Sequence, residues 1–155
     1  MEIIKIISEG MADILNAEQM ERLQNVCDTV LSQYEIVRRP TDQERTQKVN
    51  ADLLNLFLSA KKIEGCSEKT IHYYASTIEK LLAELAKQVA EIDTNDIRRY
   101  LAKQQETRNI SKVTIDNLRR IFSSFFAWLE DEDYIAKSPV RRIHKARTDT
   151  LVKEA

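Results

Sequence analysis

The most informative stretch of this 155-residue sequence is residues 111–129, which read SKVTIDNLRRIFSSFFAWL. Its apolar side chains recur every three or four residues, the spacing that places them on one face of an α-helix. Ser111 precedes the pattern, and a serine oxygen there can accept hydrogen bonds from the free N–H groups of a first helical turn. Towards its end the stretch is apolar on two sides, so we expect Trp128 to pack in the core with Phe125 and Leu129. This helix is predicted to be the most buried element.

Similar signals indicate further helices. Ser67 and Thr94 each precede an apolar stripe with helical spacing, which predicts two more helix starts. Upstream, Asn16 is placed to divide two helices, and Pro40 interrupts the helical pattern because proline disfavours helix in the residue before it. Gly65 predicts the end of a helix.

Glycine and proline are scarce, with two of each in the chain. Average usage would give roughly 10 glycines and 8 prolines in this length. Sheets and barrels need many turns with positive φ, which glycine usually supplies, so the composition predicts an all-α protein with short connections. The two glycines, Gly10 and Gly65, are 55 residues apart. This spacing excludes the P-loop and the dinucleotide-binding fingerprint, since both need clustered glycines.

Several other classes of protein are also excluded. The sequence has no run of about 18 apolar residues that would span a membrane. Its apolar start is short and contains Glu2, which does not fit a secretory signal. Cys27 and Cys66 stand far apart without histidines nearby, so we interpret them as reduced thiols of a cytoplasmic protein and predict no metal site. We expect no small-molecule cofactor and no membrane partner.

The net charge of −1 hides a gradient along the chain. Residues 1–50 sum to −3, residues 51–100 to −1 and residues 101–155 to +3. A run without acidic residues contains Lys137, Arg141, Arg142, His144, Lys145 and Arg147. Such a run can follow a phosphate backbone. A solvated tail without a ligand explains this segment equally well when it is taken alone.

Two of the predicted helix starts carry the side chains that phosphate contact requires. Free N–H groups and the helix dipole favour an anion at a helix N-terminus, and cationic and hydroxyl side chains beside it bind phosphate oxygens. At the first start these side chains are Ser67, Lys69, Thr70, His72 and Tyr73. At the second they are Ser111, Lys112, Thr114, Asn117 and one of Arg119 and Arg120. In a major groove, Asn117 and Arg120 would reach base edges. The alternative is ordinary capping beside a solvated face.

Four pieces of the sequence, taken in order, resemble a known family. They are Ser67-x-x-Thr70-x-x-x-Tyr74; Ile92-x-x-x-Asp96-Ile97-x-x-Tyr100-Leu101; Ser111-x-x-Thr114-Ile115-x-x-Leu118-Arg119-x-Ile121-Phe122-x-x-Phe125-Phe126-x-Trp128-Leu129; and Tyr134-Ile135-x-x-Ser138-Pro139. Their order and spacing resemble the N-terminal core-binding domain of tyrosine recombinases, the phage-type integrases, which is a small SAM-like helical bundle. The resemblance covers about residues 48–147. It departs from the family at Ser138, where asparagine usually precedes the proline.

The resemblance implies a bundle of four or five helices that clamps one face of double-stranded DNA at a core recombination site. In the family a catalytic domain clamps the opposite face, a basic linker joins the two domains, and several protomers of the recombinase assemble on DNA. The implied DNA contacts are residues 67–73 and 111–120. Arg141, Arg142 and Lys145 stand where the family linker follows DNA.

The patterns along the sequence, together with this resemblance for residues after about 48, predict three segments. Residues 1–45 are expected to form an N-terminal helical extension, and residues 46–143 the core-binding domain. Residues 144–155 are expected to form a basic linker towards a catalytic domain that is not present in this chain.

The catalytic set of a tyrosine recombinase is absent. That set is a tyrosine nucleophile with arginine, lysine and His-x-x-Arg groups that stabilise the transition state. His144-x-x-Arg147 matches the last motif in letters but stands at the linker position. The tyrosines lack a surrounding basic set: Tyr34, Tyr73, Tyr74, Tyr100 and Tyr134. We therefore expect this chain not to cut DNA, and we expect its parent protein to be a tyrosine recombinase that cleaves and rejoins strands.

The alternative function is a helical protein–protein interaction module without nucleic-acid binding. The near-zero net charge and the acidic first third favour it. An apolar stripe in the extension could pair with a partner helix: Leu23, Val26, Val30 and Leu31.

Overall fold

The structure, a computed structural model, describes residues 2–145. These residues form six α-helices and one short 3-10 helix, with no β-strand among them, so the predicted all-α fold is confirmed. The α-helices are α1 (Glu2–Met11), α2 (Ala17–Leu31), α3 (Asp42–Ile63), α4 (Glu68–Leu85), α5 (Thr94–Arg108) and α6 (Lys112–Asp131), and the 3-10 helix is Val89–Glu91. Within residues 2–145, no helix combines the length and apolarity needed to cross a membrane. The chain divides into two compact units between Arg39 and Pro40.

The N-terminal unit contains the hairpin of α1 and α2. Asn16 separates the two helices, as predicted: its side-chain oxygen accepts the N–H of Gln19 at 2.8 Å, and the Gln19 side chain accepts the N–H of Asn16 at 3.0 Å. Ile4 is the only buried side chain among the described residues of this unit. Ile14 and Val26 are more than half exposed. The hairpin therefore has very little core of its own.

The second unit begins earlier in the chain than predicted. The boundary predicted between residues 45 and 46 falls inside α3, because Thr41 and Glu44 form a reciprocal capping box directly after the proline. These two hydrogen bonds satisfy N–H groups that the first turn leaves free, so the helix starts there. Gly65, with a φ of 95°, follows the end of α3 as predicted.

Helices α3, α4, α5 and α6 share one hydrophobic core, and α6 packs against each of the other three. Four phenylalanines in it are fully buried: Phe57, Phe122, Phe125 and Phe126. The rings of Phe57 and Phe125 meet edge to face, with centroids 5.2 Å apart. α6 contains more buried residues than any other described helix, as its apolar pattern predicts.

The prediction that Trp128 lies in the core is wrong. Trp128 is half-buried at the edge of the core, where its ring lies 5.8 Å from that of Phe57 and 5.7 Å from that of Tyr134. Phe125 and Leu129 occupy the buried face of α6 at this level. At about 100° per residue, Trp128 lies about 160° around the helix from the buried Phe126, so it stands at one edge of the buried face.

The connection from α4 to α5 also differs from the prediction. Ser67 precedes an apolar stripe whose helical spacing continues to Val89, but α4 ends at Leu85 and Val89 is buried from the short 3-10 helix. Asp93 rather than Thr94 caps α5, because Asp93 and Asp96 form a capping box that satisfies both backbone N–H groups.

After α6 the chain folds back on the core. Ile135, Pro139 and Val140 are buried, and Ile143 packs against the core from its edge. Residues 146–155, which include Arg147 and most of the predicted linker, lie outside the described part of the chain.

Candidate nucleic-acid interface

Helix α6 begins at the predicted serine cap. Ser111 Oγ accepts the N–H of Thr114 at 3.2 Å, and the two hydroxyl oxygens lie 3.1 Å apart. Lys112 is exposed in the first turn, which contains no acidic residue, whereas the first turn of each of the other five α-helices contains at least one. Since a helix N-terminus already carries partial positive charge, this end of α6 is positively charged.

A buried carboxylate organises the next turn of α6. Asp116 is 5% exposed; its Oδ1 accepts a hydrogen bond from Arg119 Nε at 2.8 Å, and its Oδ2 lies 3.1 Å from Arg120 Nε. The hydrogen bond from Arg119 lowers the pKa of Asp116 against the opposing effect of burial, and the charges of Arg119, Arg120 and Lys145 lower it further. Asp116 is therefore ionised, in contact with two arginines and within reach of the charge of Lys145.

These side chains share one face of α6. Residues four apart on a helix are neighbours, which sets Lys112, Asp116 and Arg120 in one row with Arg119 beside it. We call the following five residues the α6 cluster: Lys112, Asp116, Arg119, Arg120 and Lys145. Within the cluster the Arg119 side chain is 18% exposed and the Arg120 side chain is 63% exposed. Of the two arginines that the sequence left open, Arg120 is thus the one that faces solvent.

The basic segment after the core returns along α6. Arg141 Nη1 lies 4.0 Å from Glu130 Oε1, near the end of the helix, and Lys145 is close enough to Asp116, near its start, to lower the pKa of that carboxyl. Arg142 is exposed and has no ion pair among residues 2–145. The basic segment therefore begins beside the end of α6, and Lys145 lies within electrostatic range of Asp116.

The start of α4 repeats the cap of α6. Ser67 Oγ accepts the N–H of Thr70 at 3.2 Å and donates to Thr70 Oγ1 at 2.9 Å. Glu68 opens this helix, so its end is less positive than that of α6. The remaining predicted residues of this start are all exposed: Lys69, His72 and Tyr73.

The two helix starts are not packed together. Tyr74, in the second turn of α4, stacks on Phe57 at 6.2 Å, and Phe57 in turn contacts Phe125 and Trp128 of α6. These contacts set the start of α4 beside the C-terminal half of α6. Ser111 precedes Phe125 by 14 residues, about 21 Å along the helix axis. The two starts are therefore two separate candidate contact sites.

Sequence reasoning missed Asp116, the residue that joins the cluster. The signal is present, because an acidic residue followed by arginines three and four positions later is the spacing of helical ion pairs. That spacing is typical of exposed helix faces, and the burial of Asp116 depends on the packing around α6.

Other chemistry-bearing residues do not assemble into a site in the described part of the chain. No group of three or more His, Cys, Asp or Glu side chains within residues 2–145 is placed to hold a metal ion. Cys27 and Cys66 are free, half-buried thiols. His144 is exposed, and its partner in the His-x-x-Arg pattern lies outside the described residues.

Comparison with known proteins gives one result. The family model described as phage integrase, N-terminal SAM-like domain, matches residues 53–136, which is more than half of the chain and includes both candidate helix starts. The family found is that of a non-catalytic N-terminal domain. Neither the curated proteins nor the solved structures gave a match. From the match and the all-helical bundle that carries it, the chain belongs to the family of phage integrase N-terminal SAM-like domains.

Proposed function

We propose that this chain binds double-stranded DNA at a core recombination site, as the N-terminal region of a site-specific tyrosine recombinase. Membership of a phage integrase domain family supports a role in site-specific recombination. The observation that supports DNA as the ligand is the α6 cluster, in which a single buried carboxylate gathers cations at a positively charged helix start.

Phosphate contacts would come from the exposed cations in and beside this cluster. Lys112, Arg120, Arg142 and Lys145 are exposed, and each can replace a counterion on the DNA backbone. Ser111 and Thr114 add hydroxyl groups that can donate to phosphate oxygens. Asn117 is exposed one turn further along, so with α6 in a major groove it and Arg120 would reach base edges.

The start of α4 would form a second, separate contact. Its exposed side chains are of the types that bind phosphate and sugar, with Ser67 and Thr70 at the cap and Lys69, His72 and Tyr73 around it. Because the two starts lie apart along the bundle, they would reach different stretches of a duplex. The compact unit from Pro40 onwards would therefore contact the DNA at two places rather than at one.

We assign the chemical steps of recombination to other parts of the parent protein. We place strand cleavage and rejoining in a catalytic domain of the parent recombinase, and residues 144–155 in the linker towards it. Other protomers of the same recombinase are the proposed protein partners, and the cytoplasm is the proposed location. The exposed apolar side chains of the N-terminal unit, Ile14 and Val26 among them, favour a role for that unit in protein contact.

Fluorescence anisotropy with a labelled recombination-site duplex tests the proposal. We expect the full chain to bind, and its affinity to fall steeply between low and moderate salt. The double variant Lys112→Gln with Arg120→Gln removes two cations without placing a new carboxylate beside Asp116. It should lose about tenfold in affinity and should reduce the salt dependence by about two phosphate contacts. Arg119 is left unchanged, because its largely buried side chain donates the hydrogen bond to Asp116.

The matched control is Lys80→Gln with Arg98→Gln, which changes the net charge equally at two exposed cations without ion pairs among the described residues. We expect this control to retain most of the affinity. Equal losses in the two double variants would mean that net charge alone governs binding and would remove the α6 cluster from the interface. No binding by the wild-type chain at low salt would favour the protein-interaction alternative.

A further inference from the structure

We infer that Asp116 is a positioning residue for DNA contact: its buried carboxylate orients the guanidinium groups of Arg119 and Arg120 on one face of α6. This inference rests on the proposed DNA binding and assigns to that site a residue that does not itself touch DNA.

The geometry of the two arginines supports this role. Asp116 is contacted by the Nε atom of each arginine, at 2.8 Å from Arg119 and 3.1 Å from Arg120. Arg119 donates its Nε–H to Asp116, whereas Arg120 forms an ion pair through Nε. A guanidinium has five N–H donors, so the exposed Arg120 keeps its four Nη–H donors for another acceptor. Phosphate oxygens are suitable acceptors, since they bind guanidinium groups in bidentate fashion.

The two arginines differ in exposure, which gives them different roles. The Arg119 side chain is 18% exposed, so it serves mainly to hold the carboxylate in place. The Arg120 side chain is 63% exposed while its Nε remains paired, so its outer edge is open to a ligand. A free arginine would lose rotamer freedom on binding DNA, whereas one held at Nε has already lost part of it, which favours binding.

Asp116 also allows three cations to share a small area. Arg119, Arg120 and Lys145 carry like charges that would otherwise repel each other, and a single carboxylate contacts two of them and attracts the third. The α6 cluster is net positive, since it contains four cations and one anion.

The isosteric variant Asp116→Asn separates positioning from simple electrostatics. Removing a negative charge near DNA should tighten binding if Asp116 only repels phosphates. If Asp116 positions the arginines, binding should weaken by about fivefold despite the gain in positive charge. Asp131→Asn is the control, because it makes the same charge change at an exposed carboxylate at the end of α6 and should bind at least as tightly as wild type.

A double-mutant cycle shows whether Asp116 acts through Arg120. In an Arg120→Ala background, Asp116→Asn should cause little further loss, whereas a general effect on folding would add to the loss from Arg120→Ala. Circular dichroism of each variant reports whether the helices are intact. If Asp116→Asn does not fold, Arg120→Lys keeps the charge but cannot offer Nε and Nη donors together, and it should also bind about fivefold more weakly.

The outcomes distinguish the two proposals. If the wild-type chain binds DNA and Asp116→Asn binds equally or more tightly, the positioning role is overturned and the proposed DNA binding remains. If Asp116→Asn is unfolded, equal or tighter binding by Arg120→Lys has the same meaning. Failure of the wild-type chain to bind removes both.

Discussion

Two aspartates of the second unit are almost equally buried and serve different purposes. Asp96 is 3% exposed and Asp116 is 5% exposed, and each faces two cationic side chains. Asp96 also accepts the backbone N–H of Asp93 at 3.1 Å and binds Lys87, which lies in the connection before α5, at 3.0 Å. Asp116 accepts no backbone N–H among the described residues and contacts only side chains.

The role of a buried carboxylate is therefore indicated by the groups that it contacts and not by its burial. A carboxylate bound to backbone and to a neighbouring connection fixes where a helix begins, so Asp96 stabilises the fold. A carboxylate whose contacts are all with cationic side chains holds those side chains in an arrangement that a ligand can use. The pKa values follow the same division: the backbone hydrogen bond from Asp93 is the main reason that the pKa of Asp96 falls to about 2, while the side chain of Arg119 is the main reason that the pKa of Asp116 is lowered.

The largest expected effect is on folding stability at Asp96. Asp96→Ala removes a capping acceptor and leaves Lys87 and Arg99 without their carboxylate, so it should lower the free energy of unfolding by about 3 kcal/mol. Asp96→Asn keeps an oxygen for the Asp93 N–H and should lose less. Urea unfolding followed by circular dichroism measures both.

Asp116→Asn in the same experiment should lose less stability than Asp96→Ala, with Asp131→Asn as the exposed control. If the loss of stability at Asp116 is as large as that at Asp96, the two aspartates do not have separate structural and positioning roles.

The pH dependence of stability sharpens the same comparison. The pKa of Asp96 is about 2 in the folded chain and 3.8 ordinarily, so its ionised form favours folding. This stabilisation, of about 2 kcal/mol, is fully present above about pH 4 and is lost as the pH falls towards 2. The stability difference between wild type and Asp96→Asn should therefore shrink over that interval. A difference that stays constant from about pH 5 to pH 2 would show that the ionisation of Asp96 does not contribute.

Much of this fold can be predicted from local sequence signals. The caps at Asn16, Ser67 and Ser111 were predictable because a cap depends on a few adjacent residues. Asp93 was missed in favour of Thr94 because both are good capping residues, and the reciprocal hydrogen bond with the residue three positions on decides between them.

The candidate site was predictable only as a set of exposed side chains. The charges at the start of α6 and in the basic segment are visible in the sequence, but their proximity depends on how the segment folds back after Val140. Neither the burial of Asp116 nor the unequal exposure of Arg119 and Arg120 follows from spacing, since each depends on what packs around that face of α6.

The smallest expected effect concerns the cationic partners of Asp96 and shows which of its contacts matters. The Arg99 side chain is 74% exposed, and pairs of this kind contribute little because water screens them, so Arg99→Ala should cost about 0.5 kcal/mol or less in urea unfolding. Lys87→Ala removes a less exposed partner and should cost somewhat more. If both losses stay well below that of Asp96→Ala, the backbone hydrogen bond to Asp93 accounts for most of what Asp96 contributes. Losses that together match Asp96→Ala would instead make it an ion-pair centre like Asp116, and the contrast between the two aspartates would then rest on their location alone.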